Sequence, residues 1–149
     1  MKIIIDSREQ SELTFDFPFV TEIMRMKLEV GDYGCQYEDG YVAPVVFERK
    51  SIPDLFGTLG KGHDRFDREI ARAKDMDIKL ILIIEGTLTK VLKGYEHSTI
   101  SGISIAMTVF SLWLRYGLTP VWCKDRIEMQ IFIYNYFAAL GRMKGRKKA

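Results

Sequence analysis

Short apolar runs alternate along the chain with amphipathic segments, and the two patterns predict different elements. The runs "KIIID" (2–6) and "IKLILIIEG" (78–86) are rich in Ile and end in an acid or a glycine, which is typical of strands covered on both faces. "EDG" (38–40) is predicted to be the turn of a hairpin. The remaining predicted strands lie near 20–26, 29–37, 41–48 and in "TPVWC" (119–123).

Segments with a helical repeat follow most of these strands. Ser51 is predicted to cap a short helix that runs to about Leu59, with Pro53 in its first turn. In "KGHDRFDREIARAKDM" the spacing of Phe66 and Ile70, continued by Ala73, predicts an inward face. The other predicted helices lie near 87–93, 99–116 and 125–142. Strands that alternate with helices predict a layered α/β domain.

The last two predicted helices are apolar over much of their surface. In the long helix, core packing is the expected use of Phe110, Trp113 and Leu114. In the final helix, a spacing of 3.6 residues assigns the core face to Ile127, Ile131, Tyr134, Phe137 and Ala138. Other apolar side chains make this helix apolar on more than one face, so a second protein could pack against it. These are Met129, Phe132, Ile133 and Tyr136.

Composition adds limits on the class of protein. A chain of 149 residues with 47% hydrophobic residues and a net charge of +2 fits one globular domain that needs no disulfide or structural metal to fold. The longest uncharged apolar stretch, "ISIAMTVFSLWL", is too short to span a bilayer. The start "MKIIID" lacks the apolar core of a secretory signal, so we expect an intracellular protein. Cys35 and Cys123 belong to no CxxC motif, which argues against a zinc site.

Positive charge is concentrated at the end of the chain. Five of the 22 Lys and Arg residues lie in "GRMKGRKKA" (141–149), so the preceding residues carry a net charge of −3. This tail has two interpretations, an arm that binds phosphates or a solvated terminus that aids solubility, and the sequence leaves both open.

Three charged residues follow an apolar run in "FERKSIPDLFGTL" (47–59). Because residues i and i+2 of a strand share one face, Glu48 and Lys50 are predicted to point to the same side and Arg49 to the other. A carboxylate is a hard ligand for Mg²⁺ or Mn²⁺, and a neighbouring Lys can orient a water or offset charge on a phosphoryl group. The ExK spacing alone also fits a surface ion pair.

Further acids lie near the predicted ends of other strands. Asp32, in "EVGDYG", precedes the hairpin that leads to Glu48, and an antiparallel pairing could bring the two carboxylates to one side. Asp6 and Glu9, in "IIIDSREQ", lie just beyond the first strand, where open α/β sheets tend to build their sites. Taken singly, these residues also fit a turn Asp, a helix cap and a solvated acid. Together they would repel one another unless a divalent cation lay between them.

Four segments in this order resemble the nuclease domain of the XPF family of structure-specific DNA endonucleases: "IIIDSREQ", "VGDY", "FERKSIPDLFGTL" and "GHDRFDREI". The family signature is a GD followed by ERKxxxD. The resemblance implies a restriction-endonuclease-like core, in which a mixed central β-sheet is flanked by α-helices. The nuclease domain is expected over 1–141, with the basic tail over 142–149. Between "DSREQ" and "VGDY" the chain is short, and we expect no full helix there.

Carried over by position, the resemblance assigns site residues. Asp32 and Glu48 are expected to ligate Mg²⁺ or Mn²⁺, helped by Asp6 or Glu9, and Lys50 to position the attacking water. Two residues have supporting roles: Arg49 through its carbonyl near the metal and a local side-chain pair, and Asp54 by holding Arg49 or the helix start. Arg8 and Arg65 fit phosphate contacts near the cut. If the tail is a phosphate-binding arm, its charge adds Arg146, Lys147 and Lys148 to these contacts.

The implied activity is Mg²⁺-dependent hydrolysis of DNA phosphodiester bonds, at branched, flap or fork structures, in repair or recombination. The resemblance also implies a homodimer formed through the C-terminal helices. The alternative is a catalytically silent DNA-binding or dimerisation subunit of the same fold. A nucleotide-binding α/β module is disfavoured, because no Gly-rich phosphate loop follows either Ile-rich strand.

Overall fold

The structure, a computed structural model, describes residues 1–148, and the side chains of residues 1–145. This part of the chain holds six strands and five helices. The strands are β1 (Lys2–Asp6), β2 (Glu22–Met26), β3 (Tyr33–Gln36), β4 (Val45–Ser51), β5 (Lys79–Glu85) and β6 (Thr119–Cys123). The helices are α1 (Ile52–Gly60), α2 (Asp64–Asp75), α3 (Leu88–Leu92), α4 (Gly102–Tyr116) and α5 (Arg126–Lys148).

All six strands form one sheet in the order β2-β1-β3-β4-β5-β6. Strand β1 is parallel to β2 and antiparallel to β3. Strand β4 is antiparallel to β3, whereas β4, β5 and β6 run parallel. The prediction of a mixed sheet flanked by helices is therefore confirmed.

Two hydrophobic clusters cover the two faces of the sheet. On one face, Phe47 of β4 packs with Ile133 and other residues of α5. On the opposite face, Val46 packs with Leu55 of α1 and Val109 of α4. Successive residues of β4 thus enter different clusters, as the alternation of a strand requires. Burial of these apolar side chains is the main term that stabilises the fold.

Strand β4 extends further than its apolar run. We predicted its end at Glu48, but the strand continues to Ser51 and pairs with β5 along its whole length. The three charges are therefore inside a strand of the sheet, where β5 fixes their directions. Helix α1 follows at once, and its predicted cap is confirmed: Ser51 Oγ accepts a hydrogen bond from the Asp54 N–H at 3.3 Å.

Strand β3 is shorter than predicted and begins at Tyr33. Before it, Gly31 has φ of +72°, and a Cβ at this position would lie 2.2 Å from Val46 Cγ1. Only glycine allows the backbone to approach β4 this closely. The Asp32 N–H then donates to the Phe47 carbonyl at 2.8 Å, so this glycine fixes where Asp32 sits.

The connection between β1 and β2 contains no helix over residues 10–21, as expected. Leu13 and Phe15 of this segment are buried in the core on the α5 face. The Leu13 N–H donates to the Tyr33 hydroxyl at 2.9 Å, which ties the segment to β3.

Helix α5 is longer than predicted. It runs to Lys148, six residues past the predicted end at 142, so the backbone of the basic tail is helical to that point. The side chains of Arg146, Lys147 and Lys148 lie outside the described residues. Helix α4 begins at Gly102, three residues later than predicted, because Ser101 caps it and accepts from the Ser104 N–H.

The outward faces of α4 and α5 differ from the prediction. Four side chains expected in the core are exposed: Trp113, Leu114, Ile127 and Ile131. The core face of α5 is instead formed by Met129, Ile133, Tyr134 and Phe137, of which the last two were predicted. Because both helices are apolar on several sides, their spacing alone does not select the buried face. Contact with the sheet selects it.

No helix within residues 1–148 is long and apolar enough to cross a membrane.

Candidate active site

The charged end of β4 forms the centre of a polar cluster on the face that α1 and α2 cover. Glu48 is buried, and Lys50 Nζ lies 3.2 Å from Glu48 Oε1. The two side chains share one side of the strand, as its alternation predicts. Lys50 Nζ also lies 5.6 Å from the centroid of the Phe66 ring, which helps to hold the ammonium over the cluster.

Asp32 joins this cluster from the turn before β3. Its Oδ2 accepts a hydrogen bond from the Arg49 N–H at 2.8 Å. Its own carbonyl accepts from the Asp6 N–H, also at 2.8 Å. Asp32 is therefore fixed between β1 and β4, and the structure brings Asp32, Glu48 and Lys50 together.

Burial and like charge perturb the acids of the cluster. Burial, with further contributions from Glu9 and Glu69, raises the pKa of Asp32 from its usual 3.8 to about 6. Burial, followed by the charges of Asp32 and Glu69, raises the pKa of Glu48 well above its usual range. Burial alone would lower the pKa of Lys50, but the charge of Glu48 and its hydrogen bond raise it. The site thus holds more negative charge than its one ammonium can offset.

Glu69 of α2 belongs to the same cluster, and we did not predict it. Its Oε1 accepts a hydrogen bond from the Gly31 N–H at 2.8 Å, and its charge is one of the causes that raise the pKa of Glu48. Glu69 therefore contacts the residue before Asp32 and lies close enough to Glu48 to act on it electrostatically. A signal was present in the sequence, because Glu69 follows the inward-facing Phe66 by three residues on a helix.

Asp6 is buried at the end of β1, and both of its oxygens have partners. Oδ2 accepts from Arg8 Nε at 3.0 Å, and Oδ1 accepts from the Leu28 N–H at 2.9 Å. These bonds hold the turn after β1 to the segment after β2. Arg8 is itself 62% exposed, so the phosphate contact predicted for it stays a prediction.

Glu9 lies against Arg49, on the face of the sheet opposite Glu48. Its two oxygens accept from Arg49 Nε and Nη2, each at 3.0 Å, and both side chains are almost fully buried. Burial alone would raise the pKa of Glu9, but the hydrogen bonds and charge of Arg49 lower it. The local pair predicted for Arg49 is thus with Glu9. Asp54 lies in the first turn of α1, where its carboxylate favours the helix start.

Within residues 1–148, no group of three or more His, Cys, Asp or Glu side chains is arranged as a ready-made metal site. Mg²⁺, however, commonly takes only one or two protein carboxylates and keeps several waters. Asp32 and Glu48 supply hard oxygen ligands, and burial together with the neighbouring negative charges raises the pKa of each, which a divalent cation would offset. These two residues fit Mg²⁺ or Mn²⁺, whereas the oxygens of Asp6 and Glu9 already bind arginines.

A cleft of about 500 Å³ opens beside Lys50. Its walls are the last turn of α1, the loop after it and the first turns of α2. Lys61, His63 and Arg65 supply basic side chains to this lining, and Asp64 and Glu69 supply acidic ones. Arg65 is exposed on the wall of the cleft that Lys50 also lines.

Comparison with known proteins is consistent with this geometry. The profile of the ERCC4 domain matches residues 5–136. The structure is similar to XPF from Aeropyrum pernix, with a TM-score of 0.66, and to XPF from Aeropyrum pernix in complex with DNA, with a TM-score of 0.69. In both cases the identity is 20%, and the match covers 98% of this chain and 66% of the other. No curated protein matches the sequence.

The likeness to these structures shows a shared fold, a mixed six-stranded sheet flanked by helices, which is the restriction-endonuclease-like core expected from the sequence. This chain spans slightly less than two thirds of the length of those XPF chains. The ERCC4 profile covers most of the sequence, including Asp32 and the Glu48-Arg49-Lys50 strand. This chain belongs to the ERCC4-domain family and has the fold of an XPF-type nuclease domain.

Proposed function

We propose that this protein is a Mg²⁺- or Mn²⁺-dependent DNA endonuclease that hydrolyses phosphodiester bonds at branched, flap or fork structures in repair or recombination. The observation that carries the proposal is the convergence of Asp32, Glu48 and Lys50 beside an open basic cleft. Membership of the ERCC4-domain family and the likeness to an XPF bound to DNA support DNA as the substrate.

Asp32 and Glu48 would hold the metal. When bound, such a metal activates water and offsets the charge that builds on the phosphodiester group. Lys50 keeps its proton at neutral pH, because its pKa is raised above 10.5. It therefore acts as a fixed cation and hydrogen-bond donor, positioned by Glu48 and Phe66, and not as a general base.

Glu69 and Arg49 position these groups. Glu69 accepts from the Gly31 N–H, so it ties the turn that carries Asp32 to α2, and its charge acts on Glu48. Arg49 donates its backbone N–H to Asp32, and its side chain is locked on the other face by Glu9. A rigid set of supporting contacts is what holds a catalytic group in a productive geometry.

The predicted phosphate contacts lie on different sides of the cluster. Arg65 lies on the wall of the cleft that Lys50 also lines. Arg8 lies near Asp32, whose charge contributes to raising the pKa of Arg8. We propose that these two arginines bind the phosphates that flank the cut. The basic end of α5 is proposed to add contacts that weaken with salt.

We also propose a homodimer through the C-terminal helices. Both C-terminal helices leave apolar side chains exposed, on opposite faces of the sheet, and exposed apolar side chains support an interaction with a second copy. These exposed residues include Ile103, Met107, Leu114, Ile127 and Ile131. A Leu114→Glu variant should sediment as a monomer where the wild type sediments as a dimer. A wild-type protein that stays monomeric at high concentration would contradict the dimer.

The activity is tested with purified protein, Mg²⁺ or EDTA, and a panel of duplex, flap, fork and single-stranded DNA. We expect cleavage only with the metal, and none by Glu48→Gln, which keeps the size of the side chain. Binding without cleavage by the wild type would instead support the silent DNA-binding subunit. Cleavage by Glu48→Gln at the wild-type rate would remove the assigned site.

A further inference from the structure

The cleft beside Lys50 continues along the outer side of α1. A second cavity, of about 280 Å³, shares Gly57 and Lys61 with the cleft as lining residues. Tyr95 and His97 form the far wall of this second cavity. A third cavity shares Tyr95 with the second and continues towards Lys93. We call this path the α1 groove, and we define it by Gly57, Lys61, Lys93, Tyr95 and His97.

Gly57 is the floor where the cleft joins the second cavity. It lies inside α1 on the exposed side, and a Cβ added there would meet no atom within 4 Å. Glycine inside a helix is less stable than alanine, and no neighbouring atom requires it here. Because Gly57 has no side chain, the floor of the groove lies at the level of the helix backbone.

The groove combines cations with aromatic rings. Lys61 lies at the junction of the two cavities, and Lys93 lies beyond the aromatic wall. The ring of Tyr95 is 5.8 Å from Phe56, a buried residue of α1, and 5.3 Å from His97. Tyr95 is therefore anchored to the core, whereas His97 is exposed.

Some acids also lie along the groove. Glu96 Oε1 is 3.3 Å from His97 Nε2, and Asp64 lines the cleft near Arg65. Within residues 1–145, neither Lys61 nor Lys93 forms an ion pair with an acid.

This chemistry selects one kind of occupant. Lysines that follow a backbone, next to rings on which bases stack, are the general means of binding single-stranded nucleic acid. Bases inside a duplex are stacked on each other, so only an unpaired base has a free face to stack on rings that line a cavity. The groove also begins at Lys50, where the proposed cut is made.

We propose that the α1 groove binds the single-stranded tail of a branched DNA whose junction lies at the active site. A base of the tail stacks on the exposed ring of His97, which Tyr95 supports edge-on, and its phosphate binds Lys61. This inference rests on the proposed function and specifies which part of the substrate leads away from the cut.

The test measures DNA binding, not cleavage, in the Glu48→Gln background. The probes are fluorescently labelled duplexes with a 3′ oligothymidine tail, with a 5′ tail, or with no tail, followed by anisotropy. The groove variants are Lys61→Ala, His97→Ala and Gly57→Leu. Lys74→Ala is the matched control, because it removes the same charge at the other end of α2. Tyr95 is left intact because it packs against Phe56.

We expect each groove variant to weaken binding of one tailed duplex by about 5- to 10-fold, in line with the loss of a stacked base. The affinity of the groove variants for the blunt duplex should change by less than about twofold. The affinity of the Lys74→Ala control for every probe should also change by less than about twofold. Gly57→Leu should melt no lower than the parent protein, because Leu is a better helix former than Gly. A stable variant with weaker binding separates a groove contact from damage to the fold.

Equal losses for tailed and blunt DNA, or no loss for either tail, would overturn the groove assignment. If the wild type cleaves tailed DNA while the groove variants bind normally, only this inference fails. If the Glu48→Gln protein binds none of the probes, the proposed function fails with it.

Discussion

Replacing Asp32 by Asn should stabilise the metal-free protein at neutral pH, although it removes a predicted metal ligand. Asn keeps an oxygen that can accept the hydrogen bond which Asp32 Oδ2 now receives from the Arg49 N–H. It lacks the charge that burial and the neighbouring carboxylates disfavour. The variant therefore keeps the packing and loses the repulsion.

The size of the effect follows from the pKa of Asp32. Its folded-state pKa of about 6 lies above its usual 3.8, so between these values the folded protein holds a proton that the unfolded chain has released. The free energy of unfolding therefore falls as the pH rises through this range, and it is lowest above pH 6. The difference between the two pKa values corresponds to a loss of at most about 3 kcal/mol in the free energy of unfolding above pH 6. At 2–4 °C per kcal/mol for a domain of this size, the melting temperature should rise by up to about 10 °C.

The assay is thermal unfolding of both proteins in EDTA, from about pH 4 to about pH 8. The advantage of Asp32→Asn should be absent near pH 4, where Asp32 is protonated, and should reach a plateau above about pH 6.5. Asp16→Asn, at an exposed acid, controls for the change in net charge. Added Mn²⁺ should stabilise the wild type more than the variant. An Asp32→Asn protein that melts below the wild type at pH 8, or a difference independent of pH, would refute the reasoning.

Three other substitutions test separate parts of the site. Lys50→Ala should lower the turnover number about 100-fold with little change in DNA affinity, as expected for a group that acts on charge in the transition state. Equal losses of turnover and affinity would make Lys50 a phosphate clamp. Glu69→Ala should weaken Mn²⁺ binding, measured by calorimetry, about tenfold. Glu69→Gln keeps the acceptor for the Gly31 N–H and should restore most of the affinity. Equal affinities of Glu69→Ala and the parent protein would show that Glu69 does not position the ligands. Replacing the basic residues 146–148 by Ala should reduce the slope of DNA affinity against salt by up to about 2 to 3. An unchanged slope would show that these residues contact no phosphate.

The sequence predicted the part of the site that depends on one strand. Alternation along β4 is a local rule, so it placed Glu48 and Lys50 on one side and Arg49 on the other without knowledge of the neighbours. We did not predict the positive φ of Gly31, the residue next to Asp32. The contact that requires glycine, with Val46 on a neighbouring strand, depends on how the two strands meet, and no local pattern contains that.

The acids after β1 show where local rules stop. The end of a strand predicts a site near Asp6 and Glu9 but not which face their side chains occupy. For Glu9, the pairing with Arg49 determines the face. Arg49 points away from Glu48, so the acid that pairs with Arg49 lies on the face opposite Glu48. Asp6 is similarly held by Arg8, two residues further on, and by the Leu28 N–H from a distant loop.

The helices show the opposite limit, since a pattern can be too uniform to read. Helix α5 is apolar on several sides, so a period of 3.6 fits both its buried residue Ile133 and its exposed residue Ile131. Helix α2 is strongly amphipathic, and its buried residues Phe66 and Ile70 were predicted correctly. Glu69 lies directly beside that buried stripe, on the side that Phe66 faces. A carboxylate brought so near the core must find a donor or a cation, and the donor that Glu69 finds is the Gly31 N–H.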